Sequence, residues 1–200
     1  MDRAEWDARY ASQDLVWTAQ ANRFVVAELA DLPPGRALDL GAGEGRNAVW
    51  LAERGWRVTA VDFSAVAVDK GRRLAGSRQV DVDWLVADVR DYRPPAGSFD
   101  AVLVAYLQLP AREVAEVLGR AAAAVAPGGT LLVVGHDRAN LTDGVGGPQD
   151  PDRLYTPEEV VAALDGLRVV RADRARRPVP DQGDAIDTVV RAVRDPGGMA

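Results

Sequence analysis

The sequence predicts an α/β domain built on a mostly parallel sheet, and three observations carry that expectation. From Pro33 onward short apolar runs alternate with helically patterned segments. The first of these runs ends in a glycine-rich turn that opens a helix. The last two are joined by a short, turn-rich link with no helix between them. Alternating strands and helices build a parallel sheet with helices on both faces. A short link forces antiparallel pairing, because a parallel crossover needs roughly a dozen residues or more.

The elements follow in order. Arg36 to Leu40 reads as the first strand, and Glu44 to Arg54 as a helix with Ala48, Val49, Leu51 and Ala52 at helical spacing and Gly55 just past its end. Trp56 to Asp62 is the second strand, and Ser64 caps a helix running to about Leu74. Val80 to Ala87 and Phe99 to Leu107 are the third and fourth strands. Val114, Val117, Leu118, Ala121, Ala122 and Val125 form the apolar stripe of a strong helix that Pro127-Gly128-Gly129 stops. Thr130 to Val134 is a fifth strand, apolar on both faces. Arg138 to Leu154 is polar, rich in Gly and Pro, and without periodicity. Thr156-Pro157-Glu158-Glu159 is a capping box that opens a helix to about Leu164. Leu167 to about Ala175 and Ala185 to Arg194 are the closing hairpin, linked by Pro178 to Asp184, and Asp195 to Ala200 are expected to fray. The expectation is a seven-stranded sheet with a C-terminal antiparallel hairpin, in one domain spanning 1–200.

Composition narrows the chemistry. The chain has 200 residues, 48% hydrophobic, with a formal net charge of −6. That is long enough to hold a core without staples. There are no cysteines and one histidine, His136, so disulfides, thiolate or histidine metal sites and a cysteine nucleophile are not expected. The acidic balance argues against nucleic acid as a partner. The opening MDRAEWDARY lacks a basic start followed by an apolar run, and no stretch is apolar enough to span a bilayer, so the expected location is cytoplasmic. The single lysine, Lys70, among many arginines points to a GC-rich bacterial genome.

The informative motif is Asp39-Leu40-Gly41-Ala42-Gly43-Glu44-Gly45, between the first strand and its helix. Glycines there let the backbone turn tightly and let a ligand lie against it. Asp62 ends the second strand, placed to accept the hydroxyls of a ribose. The dinucleotide pattern G-x-G-x-x-G fails, because its last position is Arg46. Asp39 would repel a pyrophosphate but suits an ammonium group. S-adenosylmethionine has that ammonium, a ribose and no phosphate.

These residues resemble motif I of class I S-adenosylmethionine-dependent methyltransferases, which share a Rossmann-like three-layer fold. On that resemblance Asp62 falls on the ribose-binding acidic position and Asp88 on the position that contacts the adenine amino group. Ala105 to Gln108 match the region near the transferred methyl, and the C-terminal hairpin matches the family's signature. The run Gly45-Arg46-Asn47-Ala48 is similar to the tellurite-resistance (TehB) and thiopurine-methyltransferase-like branch. The resemblance implies a cofactor set of Asp39, Gly41, Ala42, Gly43, Gly45, Arg46, Asn47, Asp62, Phe63, Ser64, Ala87, Asp88, Val89 and Ala105. It also implies an N-terminal segment, within residues 1–32, that folds over the cofactor. Trp6, Tyr10 and Trp17 read either as that lid or as core and interface aromatics.

The implied activity is methyl transfer by in-line displacement to a small-molecule oxygen, nitrogen, sulfur or chalcogen nucleophile, leaving S-adenosylhomocysteine. Alternatives are a nicotinamide-dependent oxidoreductase and a non-catalytic cofactor-binding module. Tyr106 is the aromatic placed near the sulfonium. His136, at the end of the fifth strand, is the candidate base, with a structural role as its alternative. Residues 138–155 read as the acceptor-side loop. Arg168 to Arg177 read as a solvated strand face or as an anion-binding edge. Arsenite acceptors would need cysteines, and the branch's histidine on the C-terminal strands is missing here. A small-molecule partner and a monomer or weak homodimer complete the expectation.

Overall fold

The computed structural model describes residues 1–197, so the last three of the residues expected to fray lie outside it. Two N-terminal helices, α1 (Arg3–Ala11) and α2 (Arg23–Leu29), precede the sheet. There follow β1 (Arg36–Leu40), α3 (Arg46–Ala52), β2 (Arg57–Asp62), α4 (Ala65–Ser77), β3 (Asp83–Val86), β4 (Phe99–Ala105), α5 (Ala111–Ala124) and β5 (Val125–His136). The chain continues through α6 (Asn140–Asp143), a short turn of helix over Pro151–Arg153, α7 (Pro157–Ala162), β6 (Arg168–Val179) and β7 (Gly183–Val193).

The seven strands lie in the order β3-β2-β1-β4-β5-β7-β6. β1 to β5 pair in parallel, while β7 pairs antiparallel with both β5 and β6. The fold is therefore the seven-stranded Rossmann-like sheet with a C-terminal antiparallel hairpin that the sequence predicts. The strand order reverses between β1 and β4, and a crevice opens there at the strands' carboxyl ends.

Strand residues alternate between two cores. Leu38, Leu40, Val102, Val104, Leu131 and Val133 meet Val114, Val117 and Leu118 of α5 and Val160 of α7 on one face. Ala37, Ala60, Leu103, Leu132 and Val134 meet Phe24, Val25 and Leu29 of α2 and Trp50 and Leu51 of α3 on the other.

Several boundaries differ from expectation. α3 begins at Arg46 rather than Glu44, because Gly45 sits in the left-handed region at φ 78° and the turn takes up two more residues. α4 runs on to Ser77 and β3 shrinks to Asp83–Val86. Val125 is extended (φ −67°, ψ 126°), not the last residue of the helical stripe. β5 thus starts before Pro127-Gly128-Gly129, and that tripeptide bulges out where the register with β4 shifts between Phe99 and Ala101. β4 ends at Ala105, because Tyr106 turns to φ 55°. The hairpin strands extend to a tight turn, with Val179 opposite Gly183. Among the described residues no helix is long and apolar enough to cross a membrane.

Candidate active site

A cavity of about 1230 Å³ opens over the crevice between β1 and β4. Gly41, Ala42, Gly43, Arg46, Asn47, Asp62 and Phe63 border it on one side. Ala105, Tyr106 and His136 border it on the other, with Gln108, Arg153 and Arg177. Of the residues expected at the site, Asp39, Gly45, Ser64, Ala87, Asp88 and Val89 are not among those that line it.

The glycine loop is shaped by what packs on it. Gly43 (φ 55°) lies under the Tyr10 hydroxyl, and a Cβ there would come within 2.9 Å of that oxygen. A Cβ on Gly45 would collide with the Trp84 indole, so the third glycine of the motif makes room for β3. The Gly43 amide then donates to Asp62 at 2.8 Å, and the Ser64 amide donates to the other oxygen at 2.9 Å. Asp62 is buried, and burial raises its pKa even though these amides pull it down. Ser64 Oγ accepts from Ala67 at 3.1 Å, capping α4 and fixing that turn.

Asp39 is 1% exposed and one of its oxygens, Oδ2, finds no donor. Burial raises its pKa to about 7, with the nearby Asp62 charge adding to the rise and Arg46 opposing it. The Arg46 guanidinium, at the first position of α3, makes no ion pair among the described residues, and burial lowers its pKa. A carboxylate with one oxygen lacking a donor and a guanidinium lacking an ion-pair partner, both among the described residues, thus sit beside the glycine loop. Asp88 differs: Arg90 grips it from Nε at 3.0 Å and Nη2 at 2.7 Å, which lowers its pKa, and the Arg90 side chain reaches the cavity instead.

The N-terminal segment is tied to the same loop by a buried pair. Lys70 on α4 and Glu44 in the loop are 3.2 Å apart, 7% and 4% exposed. Glu44 accepts the amides of Val16 and Trp17 at 3.0 Å, while Lys70 donates to the carbonyls of Tyr10 and Gln13. Tyr10 is buried and stacks on Trp6 with ring centroids 5.4 Å apart, whereas Trp17 is 37% exposed.

On the far side, His136 Nδ1 lies 3.3 Å from Asp187 Oδ1, without the alignment of a full hydrogen bond. Asp187 Oδ2 accepts the Tyr106 hydroxyl at 2.9 Å and Arg177 Nε at 2.7 Å. The Tyr106 hydroxyl in turn accepts from Asn22 at 3.2 Å, and Asn22 caps α2. Burial raises the Tyr106 pKa beyond the ordinary phenol range. Next door Asp137 accepts from Arg174 at 3.0 Å and Thr188 at 2.7 Å. The arginine-rich strand is thus a set of ion pairs, and only Arg177 also borders the cavity. Residues 138–155 are ordered by Asn140, which donates to Gly146 at 2.8 Å and accepts from Ile186 at 2.7 Å.

Sequence reasoning missed Glu44, Lys70, Asn22 and Asp187. Two of them left a signal. Lys70 is the only lysine and falls on the helix face of Ala67 and Gly71, and Asp187 interrupts the apolar run from Ala185 to Val190. Such positions carry a charge only when it is paired.

Residues 37–129 match the methyltransferase domain family. A demethylmenaquinone methyltransferase of Thermus thermophilus is 36% identical over 123 residues, 60% of this chain and 54% of that protein. The chain thus spans about half the length of that curated relative. A protein solved in work on the conversion of a disulfide bond into a thioacetal group during echinomycin biosynthesis superposes with a TM-score of 0.77 at 22% identity, covering 98% of this chain and 93% of that one. TehB from Haemophilus influenzae follows at 0.75 and 16%, covering 96% and 67%. At these identities the two structures speak for the fold.

Proposed function

We propose that the chain, whose residues 37–129 match a methyltransferase domain family, is a class I S-adenosylmethionine-dependent methyltransferase that methylates a small-molecule acceptor bound in the cavity beside His136. The observation that carries the reading is the juxtaposition of Asp39, whose Oδ2 has no donor among the described residues, with the Arg46 guanidinium, which makes no ion pair among them, beside the glycine loop. An amino-acid end, with one ammonium and one carboxylate, is the ligand chemistry that completes both. Asp62 keeps free lone pairs for ribose hydroxyls, and Ala87, Asp88 and Val89 follow β3 where the adenine would lie. The residues present therefore fit S-adenosylmethionine. When bound, it supplies a sulfonium methyl, the electrophile of an in-line displacement.

The chain's own part is positioning and proton handling. The Tyr106 ring and the strand-end carbonyls suit a cation. His136 takes the proton of an acceptor that arrives as a hydroxyl or amine. Residues 138–155, held by Asn140, and the N-terminal segment, clasped by Glu44 and Lys70, exclude water from the two ends of the cavity. The run Gly45-Arg46-Asn47-Ala48 supports a place in the TehB/thiopurine-methyltransferase-like branch. The relative named a demethylmenaquinone methyltransferase makes quinols a first acceptor panel.

Calorimetric titration with S-adenosylmethionine tests the reading, run beside Asp62→Ala. The wild-type chain is expected to bind. The variant is expected to bind about 10- to 100-fold more weakly, since a charge-assisted hydrogen bond is worth about 1.5–3 kcal/mol. A wild-type chain that does not bind would sink the proposal. Binding without release of S-adenosylhomocysteine on any acceptor would favour the non-catalytic module.

A further inference from the structure

We propose that Asp187 is the positioning residue for His136: it holds the imidazole proton on Nδ1 and leaves Nε2 as a free acceptor toward the cavity. The inference rests on the reading of His136 as the base, and it adds a residue and a protonation state to it.

The two residues face each other across the antiparallel ladder, His136 as the last residue of β5 and Asp187 opposite it on β7. Side chains so paired share one face of the sheet. Asp187 is wholly buried, and its two oxygens are used differently. Oδ2 takes the Tyr106 hydroxyl at 2.9 Å and Arg177 Nε at 2.7 Å. Oδ1 has Nδ1 at 3.3 Å and only a distant second donor, Arg177 Nη2 at 3.5 Å. Burial alone would push the carboxyl up, but His136 and Arg177 more than offset it and its pKa is lowered. Asp187 is therefore an anion near neutral pH and can only accept.

Nδ1 is sealed from solvent and has no full hydrogen-bond partner among the described residues. A lone pair there would point at a carboxylate, so the proton belongs on Nδ1. The ring is also confined. Tyr106 packs against it at a centroid distance of 4.9 Å, and Gly147 (φ 75°) lies so close that a Cβ would come within 3.0 Å of the imidazole. The groups facing His136 are thus Asp187 from β7, Arg177 from β6 through Asp187, and Tyr106 from the end of β4. The long, unaligned contact is what a catalytic pair often shows before its ligand is bound.

The acceptor class follows. With Nε2 free, an O–H or N–H proton passes to Nε2 as the acceptor's heteroatom bonds the methyl carbon. The carbon–sulfur bond breaks with its electron pair left on sulfur, giving a thioether and an imidazolium whose charge Asp187 balances. The pairing selects acceptors that arrive protonated, such as phenolic hydroxyls, over those already ionised.

His136 is the only histidine, so its nitrogens give unambiguous signals in the full chain labelled with ¹⁵N-histidine. Two-bond proton–nitrogen correlation spectra above the titration of the ring are expected to show the Nδ1–H form. In Asp187→Asn, Arg177 Nε holds the amide oxygen, so the amide NH₂ faces Nδ1 and the proton moves to Nε2, as when the orienting carboxylate of a histidine dyad is replaced. A wild-type ring already in the Nε2–H form would overturn the inference, without needing any variant to fold. So would an Asp187→Asn ring that keeps the wild-type pattern. Titration of the same samples with S-adenosylmethionine keeps the two proposals apart, because cofactor binding judges the function and the tautomer judges Asp187.

Discussion

Asp62, at the end of β2, and Asp187, in the middle of β7, are both buried, yet the pKa of the first is raised and that of the second lowered. The difference lies in what holds them. Asp62 is held by backbone amides of Gly43 and Ser64, and the pKa of Asp39 beside it is opposed by Arg46 and the Ala48 amide. On the other side of the crevice Asp187 is held by Arg177 and Tyr106, and Asp137 by Arg174 and Thr188. An amide dipole is neutral and only partly offsets the loss of water around a carboxylate, whereas a guanidinium brings a full charge. The glycine-loop side is thus left under-compensated. The side of the hairpin is already compensated and serves as a frame.

Substitutions can break that contrast, and the largest effect is expected on the hairpin side. Asp187→Ala strips Arg177 and Tyr106 of their common acceptor and leaves a half-buried guanidinium unpaired. A loss of about 3–5 kcal/mol in urea unfolding is expected, the usual cost of breaking a buried pair. A loss under about 1 kcal/mol would show that Arg177 simply turns to solvent.

Asp39→Asn is expected to act in the opposite direction, and with pH. The folded pKa of Asp39, about 7, lies above the model-peptide value of 3.8. Between these two values the folded chain holds a proton that the unfolded chain has released. Stability therefore falls as the pH rises through this window, and the loss is complete above it. The variant lacks that penalty. Its stability relative to wild type should improve from pH 4 to pH 8 by an amount on the order of a few kcal/mol, read from unfolding curves at both ends. An ammonium ligand reverses the sign, so wild-type affinity for S-adenosylmethionine should rise as the pH passes about 7.

The smallest effect is expected at Ser64. Ser64→Ala removes the cap of α4 and its donor contact to Asp7. It should cost about 1 kcal/mol by urea unfolding. Cofactor affinity should change little, because the Ser64 amide still holds Asp62. A large loss of affinity would mean that the hydroxyl, not the backbone, orients that carboxylate.

Much of the glycine-loop side was legible because its determinants are local. Asp39 and the three glycines lie within seven consecutive residues, and Asp62 follows at the end of the next strand. Helix starts were read from caps at Ser64 and Thr156, each of which the structure shows accepting a first-turn amide. Helix ends were harder. α4 continues past Leu74, and α5 gives way to an extended Val125, because packing on the sheet overrides local periodicity. The apolar stripe marks Val125 as buried but not as helical.

By itself, then, the sequence determined the alternation of strands and helices, the glycine loop with its two strand-end carboxylates, and the antiparallel close of the sheet. Each depends on residues near one another in the chain, where spacing and turn chemistry act directly. Only the tertiary structure decided that Glu44 and Lys70 clasp the N-terminal segment, and that His136 meets Asp187 under Arg177 and Tyr106. Those contacts join groups far apart in the chain. They are set by strand order and register, which place one buried charge against another, and no local pattern records which partner a buried charge will find.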